Sequence, residues 1–244
     1  MTKKNLLVLI SLLICVYCLS GETKTSQCPD FPNIALTNNV SFLDSTFNNT
    51  LAGCAFLVKT PKNILAVTCK HSLWVAKTDK MKAISFEGQL KEWRMQVKND
   101  STSFLICGNL INEDSSELIG EENVNSDYLI FFIKENHSQV KPLTVRNTDL
   151  IKGEPVYFIG WSFLDKTGPQ KIYTGTFVKK TANHLLIDMP YQNMAGMSGG
   201  AVIDKKGELI GIVSNYYYDE TEQKWYISPC DTTYLKKIIK DKKL

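Results

Sequence analysis

The chain has 244 residues, 43% of them apolar and 22% charged. That composition supports a folded core and excludes a disordered chain. Its 28 basic residues against 25 acidic ones leave a formal charge of only +3, which gives no case for nucleic acid as a partner.

Lys3 and Lys4 precede an apolar run from Leu6 to Leu19, broken only by Ser11. The run is too short to span a bilayer and has the form of a signal-peptide core. Residues 1–20 are therefore expected to be a signal peptide cut near Ser20, placing the protein in a secreted or periplasmic location. Loss of Lys3 and Lys4 would leave a net charge of about +1. A lipid anchor on Cys15 or Cys18 is the minority reading, because Ile14 and Tyr17 suit a lipobox poorly. No later apolar stretch is long enough for an integral membrane span. Beyond the signal, Cys28, Cys54, Cys69, Cys107 and Cys230 are odd in number, so at least one is free or pairs with another chain.

Residues 21–44 are polar and are expected to form an N-terminal arm before a domain at 45–244. Short apolar runs follow, rich in Val, Ile, Phe and Tyr. They give candidate strands at 53–59, 63–68, 83–87, 103–107, 127–133, 155–160, 172–178, 184–188, 200–204, 208–213 and 224–228. Lys205-Lys206-Gly207 forms a tight hairpin between two of them. Many short strands with no helices between them indicate an all-β sandwich or barrels. Lys141-Pro142 and the polar stretch 146–153 divide two halves, about 45–145 and 150–230. One helix is expected over 231–242, capped by Asp231, with Tyr234, Leu235, Ile238 and Ile239 as its apolar stripe. The lysines of that helix are expected to form a solvated face, and no internal repeat of fixed period is visible.

Three segments carry candidate chemistry. Gly196-Met197-Ser198-Gly199-Gly200 sets a serine among glycines before the apolar run Ala201-Val202-Ile203. A serine hydroxyl attacks only when a base takes its proton and donors stabilise the oxyanion, and glycines allow the tight turn that aims backbone N–H groups. Ile64-Leu65-Ala66-Val67-Thr68-Cys69-Lys70-His71 places a histidine just beyond an apolar strand. Asn125-Ser126-Asp127-Tyr128-Leu129-Ile130 places an aspartate at the head of another. Taken singly, each has a bland reading: a turn, a structural histidine, a strand-start residue. Asp100 and Asp114 are the alternatives to Asp127, and neither leads directly into a long apolar strand. His137 and His184 lack such a context.

In the order His71, Asp127, Ser198, and with Gly53-Cys54-Ala55-Phe56-Leu57-Val58 before them, these segments resemble the trypsin-like serine peptidases of the chymotrypsin fold. The resemblance covers about residues 45 to 240. It implies two six-stranded antiparallel Greek-key barrels, with the active site between them and a short C-terminal helix. It implies a His71–Asp127–Ser198 triad, an oxyanion hole from the N–H groups of Gly196 and Ser198, and a protein or peptide substrate, with no cofactor and no metal. Cys69-x-His71 shows only two ligands of metal-binding type. The family often bridges the strands that Cys54 and Cys69 occupy, so a Cys54–Cys69 disulfide is an expectation of the resemblance. Met197 replaces the aspartate of the digestive zymogen switch, and Gly153-Glu154-Pro155-Val156-Tyr157-Phe158-Ile159-Gly160-Trp161 is similar to a segment of the bacterial HtrA-like and glutamyl-endopeptidase-like branches. The substrate pocket is expected around Gln192, Asn193, Ser214 and Tyr216. Gln192 stands where basic-specific members carry an aspartate, and Val213 where glutamyl endopeptidases use a histidine, so an uncharged residue is the expected preference. Asp188 is expected to end a strand. The alternative is a catalytically silent binding module on the same fold.

Overall fold

The computed structural model describes residues 29–244. The expected signal peptide, with Cys15 and Cys18, and Cys28 in the polar arm lie outside the described residues. In chain order the strands are β1 (Leu36–Phe42), β2 (Cys54–Lys59), β3 (Ile64–Thr68), β4 (Ala83–Ile84), β5 (Leu90–Gln96), β6 (Phe104–Leu110), β7 (Asp114–Leu118) and β8 (Leu129–Asn136). They are followed by β9 (Pro155–Gly160), β10 (Lys171–Thr181), β11 (His184–Asp188), β12 (Ala201–Asp204), β13 (Leu209–Asp219), β14 (Lys224–Asp231) and, among the described residues, one α-helix, α1 (Thr233–Asp241).

Two closed antiparallel barrels result, ordered β1-β2-β3-β8-β6-β5 and β10-β11-β14-β13-β12-β9, with β4 and β7 paired apart. Counting only barrel strands, both follow one scheme in which the third strand pairs with the sixth and the first with the fourth. The all-β, two-barrel expectation with a short C-terminal helix therefore holds. The shared scheme is an internal repeat of topology that no sequence period announces.

Strand β1 lies inside the segment expected as a polar arm, and pairs with β2 and β5. It was illegible because Thr37 and Asn38 are polar yet buried. Asn38 is fully bonded: its amide donates to Ala52 O, Cys54 O and Thr68 Oγ1, and its Oδ1 accepts the Trp93 indole N–H at 2.9 Å. Such a buried amide costs little only because every polar atom is matched. Strand β5 was also not expected. It alternates inward Trp93 and Met95 with half-exposed Glu92, Arg94 and Gln96, too few apolar residues to stand out in a scan for apolar runs.

The first barrel is filled by Val40, Phe42, Trp93, Met95, Leu105 and Phe131, and the second by Val156, Phe158, Phe177, Ile187 and Val202. A further cluster joins Phe56, Val67 and Ile130 of the first barrel to Ile159, Ala201 and Ile203 of the second, and to Leu235 and Ile238 of α1. Burying each large apolar side chain is worth about 1.5–3 kcal/mol, so this shared cluster holds barrels and helix as one packed unit. Helix α1 starts after Thr232, and Asp231 receives the Thr233 amide at 2.9 Å. Its lysines 236, 237 and 240 are exposed.

Candidate active site

His71 sits in a 3-10 turn, Lys70–Trp74, directly after β3. Asp127 closes a second such turn, Glu121–Ser126, just before β8. Both belong to the first barrel. Ser198 lies in the loop between β11 and β12 of the second barrel, and Ser214 lies on β13.

The carboxylate of Asp127 is fully buried. Its Oδ2 lies 2.6 Å from His71 Nδ1 and accepts the Ser214 hydroxyl at 2.5 Å, while Oδ1 accepts the His71 backbone N–H at 3.0 Å. These bonds fix the ring with its Nδ1 proton toward Asp127 and leave Nε2 facing away. Asp100, in the loop after β5, and Asp114, at the start of β7, are the alternatives; they accept from Thr102 and Ser116 and lie outside the cluster. His137 and His184 stay outside the cluster; His184 faces Ser228 O at 3.2 Å.

Nε2 of His71 meets Cys69 Sγ at 3.6 Å, and the same sulfur lies 3.0 Å from Ser72 Oγ. Among the described residues the Ser198 hydroxyl makes no hydrogen bond. Burial disfavours the His71 imidazolium, but the neighbouring Cys69 sulfur and Asp127 carboxylate outweigh it and push the group up from 6.5 to about 11. Cys54 and Cys69 are both free thiols, so the expected bridge between them is absent. The reason is direction: Cys54 Sγ turns toward the second barrel, receiving the Trp161 amide at 3.4 Å, whereas Cys69 turns toward His71.

Lys70 is a feature that sequence reasoning missed. Its side chain is fully buried. The ammonium donates to both Glu117 oxygens at 2.7 and 2.8 Å and to Ser126 Oγ at 2.8 Å, and stands 4.5 Å from the Tyr234 ring centre. It thus ties the turn of His71 to the turn of Asp127, to β7 and to α1. No lysine between Cys and His announces this; only the converging partners reveal it.

Around Ser198 the backbone is held from both barrels. Its carbonyl accepts the Cys54 amide at 2.7 Å, and the Gly199 amide donates to Val213 O at 2.9 Å. Gly196 has φ +96°, and a side chain there would run into the Phe163 ring. Among the described residues, the amides of Gly196 and Ser198 donate to no other group. Met197 is buried in the second barrel's core. Gln192, Asn193, Ser214 and Tyr216 line one cavity of about 350 Å³ together with Ser198, and none of the side chains around it is charged. Val213 and Ile227 add apolar surface to it. Asp188 ends β11 and pairs with Lys224 at 2.7 Å.

A family model described as a trypsin-like peptidase domain matches residues 53–212. No curated protein matches the chain. Among solved structures, the chain is similar to a thermostable serine protease from an extremophilic microorganism, with TM-score 0.58 and 12% identity, over 85% of this chain and 95% of that one. It is also similar to a Glu endopeptidase in complex with MPD, with TM-score 0.56 and 14% identity, over 91% and 94% of the two chains. At such identities the likeness concerns the fold.

Proposed function

Because the chain belongs to the trypsin-like peptidase family, we propose that it is an exported serine endopeptidase acting through His71, Asp127 and Ser198. The observation that carries this reading is the convergence of the His71–Asp127 pair from one barrel and the Ser198 loop from the other, with two undonated amides beside the serine. Ser198 Oγ attacks the peptide carbonyl while His71 takes its proton. The Gly196 and Ser198 amides hold the oxyanion; one such donor is worth about 2.7–4 kcal/mol in the transition state. His71 then protonates the leaving amine, and water hydrolyses the acyl-enzyme. Asp127 holds the tautomer throughout.

Cys69 is the rival nucleophile, since it touches His71 Nε2. It has no exposed surface and is not among the residues lining the cavity, whereas Ser198 is. That favours the serine. The uncharged cavity supports cleavage after an uncharged residue, because an unpaired charge buried there would be costly. Asp188, already paired with Lys224, is no countercharge for Arg or Lys.

One observation favours a second reading, a silent binding module: the Ser198 hydroxyl is not bonded to His71. Catalytic hydrogen bonds are often loose before substrate arrives, so the geometry does not weigh heavily against activity. Labelling with a fluorophosphonate probe decides. The expected result is one labelled site, lost in Ser198→Ala. Labelling that survives this substitution, or no labelling of the native protein, overturns the assignment.

A further inference from the structure

We infer that Cys69 and His71 form a binding site for a tetrahedral divalent transition-metal ion, zinc being the fitting class, and that occupancy silences the proposed base. Cys69 Sγ, a His71 ring nitrogen and an Asp127 oxygen lie within 4.8 Å of one another. The Cys69 Sγ to His71 Nε2 separation is 3.6 Å. Zinc bonds of about 2.3 Å to sulfur and 2.0–2.1 Å to nitrogen, at a tetrahedral angle, put those two atoms about 3.5 Å apart. The pair is therefore spaced for one shared ion without movement of either side chain.

The electronic arrangement fits as well. Asp127 occupies Nδ1 at 2.6 Å, so Nε2 is the nitrogen left to ligate once its proton is displaced. A carboxylate on the far nitrogen of a metal-bound imidazole orients the ring and raises its basicity. On binding, the thiol and the imidazolium Nε2–H each release a proton to solvent, and Nε2 gives the lone pair so freed. One thiolate and the Asp127 carboxylate then balance the two positive charges in a largely buried setting. Mixed sulfur and nitrogen donors select a borderline ion over calcium or magnesium, which need oxygen ligands. Cys69 has no exposed surface, so the ion and the water that fills its remaining positions enter from the side of the His71 ring, whose side chain is 13% exposed.

The test uses the full chain carrying Ser198→Ala, so it reads metal binding whether or not the peptidase reading survives. Zinc chloride titrated in a calorimeter should bind at one site. Cobalt(II) in its place should give a thiolate-to-metal charge-transfer band. Adding Cys69→Ala should abolish the band and weaken zinc by about tenfold or more. Cys69→Ser, which keeps the volume and lacks the thiolate, stands in if the alanine variant does not fold. In the chain with Ser198 intact, zinc should protect Ser198 from the fluorophosphonate probe, and this protection should vanish in the Cys69 variant. No charge-transfer band in the protein with Cys69 intact overturns the inference, leaving only a thiol–imidazole hydrogen bond. An affinity and a band that persist unchanged without Cys69 overturn it too, by assigning the metal to other thiols.

Discussion

At the scale of single residues, the proposed mechanism turns on His71. A base must be neutral to accept the Ser198 proton, and a raised pKa keeps His71 protonated to higher pH. The acid limb of activity is therefore expected well above the ordinary value of 6.5, activity rising toward alkaline pH. With chelator present, Cys69→Ala should move that limb to lower pH, since one group favouring the imidazolium is gone. A profile that does not move would show that the sulfur leaves the base untouched. Asp127→Asn should cut kcat by about 10⁴, chiefly by favouring the wrong tautomer. His71→Ala and Ser198→Ala should each remove nearly all activity, and the double variant should be little worse, because such groups act as a unit. Losses that multiply would argue against a shared proton transfer.

At the scale of elements, Lys70 ties the loops after β3 and before β8 together, beyond the hydrogen bonds within each turn. Its ammonium has no exposed surface, while its partner Glu117 is 27% exposed. Breaking a buried pair from one side costs about 3–5 kcal/mol, and the wet side of Glu117 places this pair near the lower end. Lys70→Met should thus lower the urea midpoint by an amount worth about 3 kcal/mol and reduce kcat, through a displaced Ser126–Asp127 segment. Adding Glu117→Leu should recover part of the stability, because the orphaned carboxylate is removed with its partner. If the double variant is as unstable as the sum of the two single ones, the pair is not the tie described. The apolar strands were legible as elements. Strands β1, β5 and β7 were not: β1 buries polar residues, β5 alternates with charged ones, and β7 is polar and mostly exposed.

At the scale of the whole described unit, the two barrels meet where β2 touches the Ser198 loop. Gly53 has φ +85°, and a Cβ on it would stand 2.5 Å from the Ser198 carbonyl oxygen, the atom that the Cys54 amide holds. Gly53→Ala should therefore cost about 1–3 kcal/mol in backbone strain and, under the proposed mechanism, lower kcat by shifting the Ser198 loop away from His71. Urea unfolding and steady-state kinetics on the same preparation check both. A variant with native midpoint and native kcat would show that the barrels are not coupled through this contact.

What the sequence determined by itself was local and periodic: a β-rich chain, a terminal amphipathic helix, and three chemistry-bearing segments whose order carried the family resemblance. Glycine turns, apolar runs and helical spacing are written within a few residues, so they can be read without a fold. Only the tertiary structure decided which groups touch. It placed Ser214 on the Asp127 carboxylate, turned Cys54 on β2 and Cys69 just past the end of neighbouring β3 apart, and set the Cys69 sulfur against the His71 ring. It also gave Lys70 its three partners from distant segments. Direction of a side chain and proximity across barrels depend on closure of both sheets, and no stretch of sequence contains that closure.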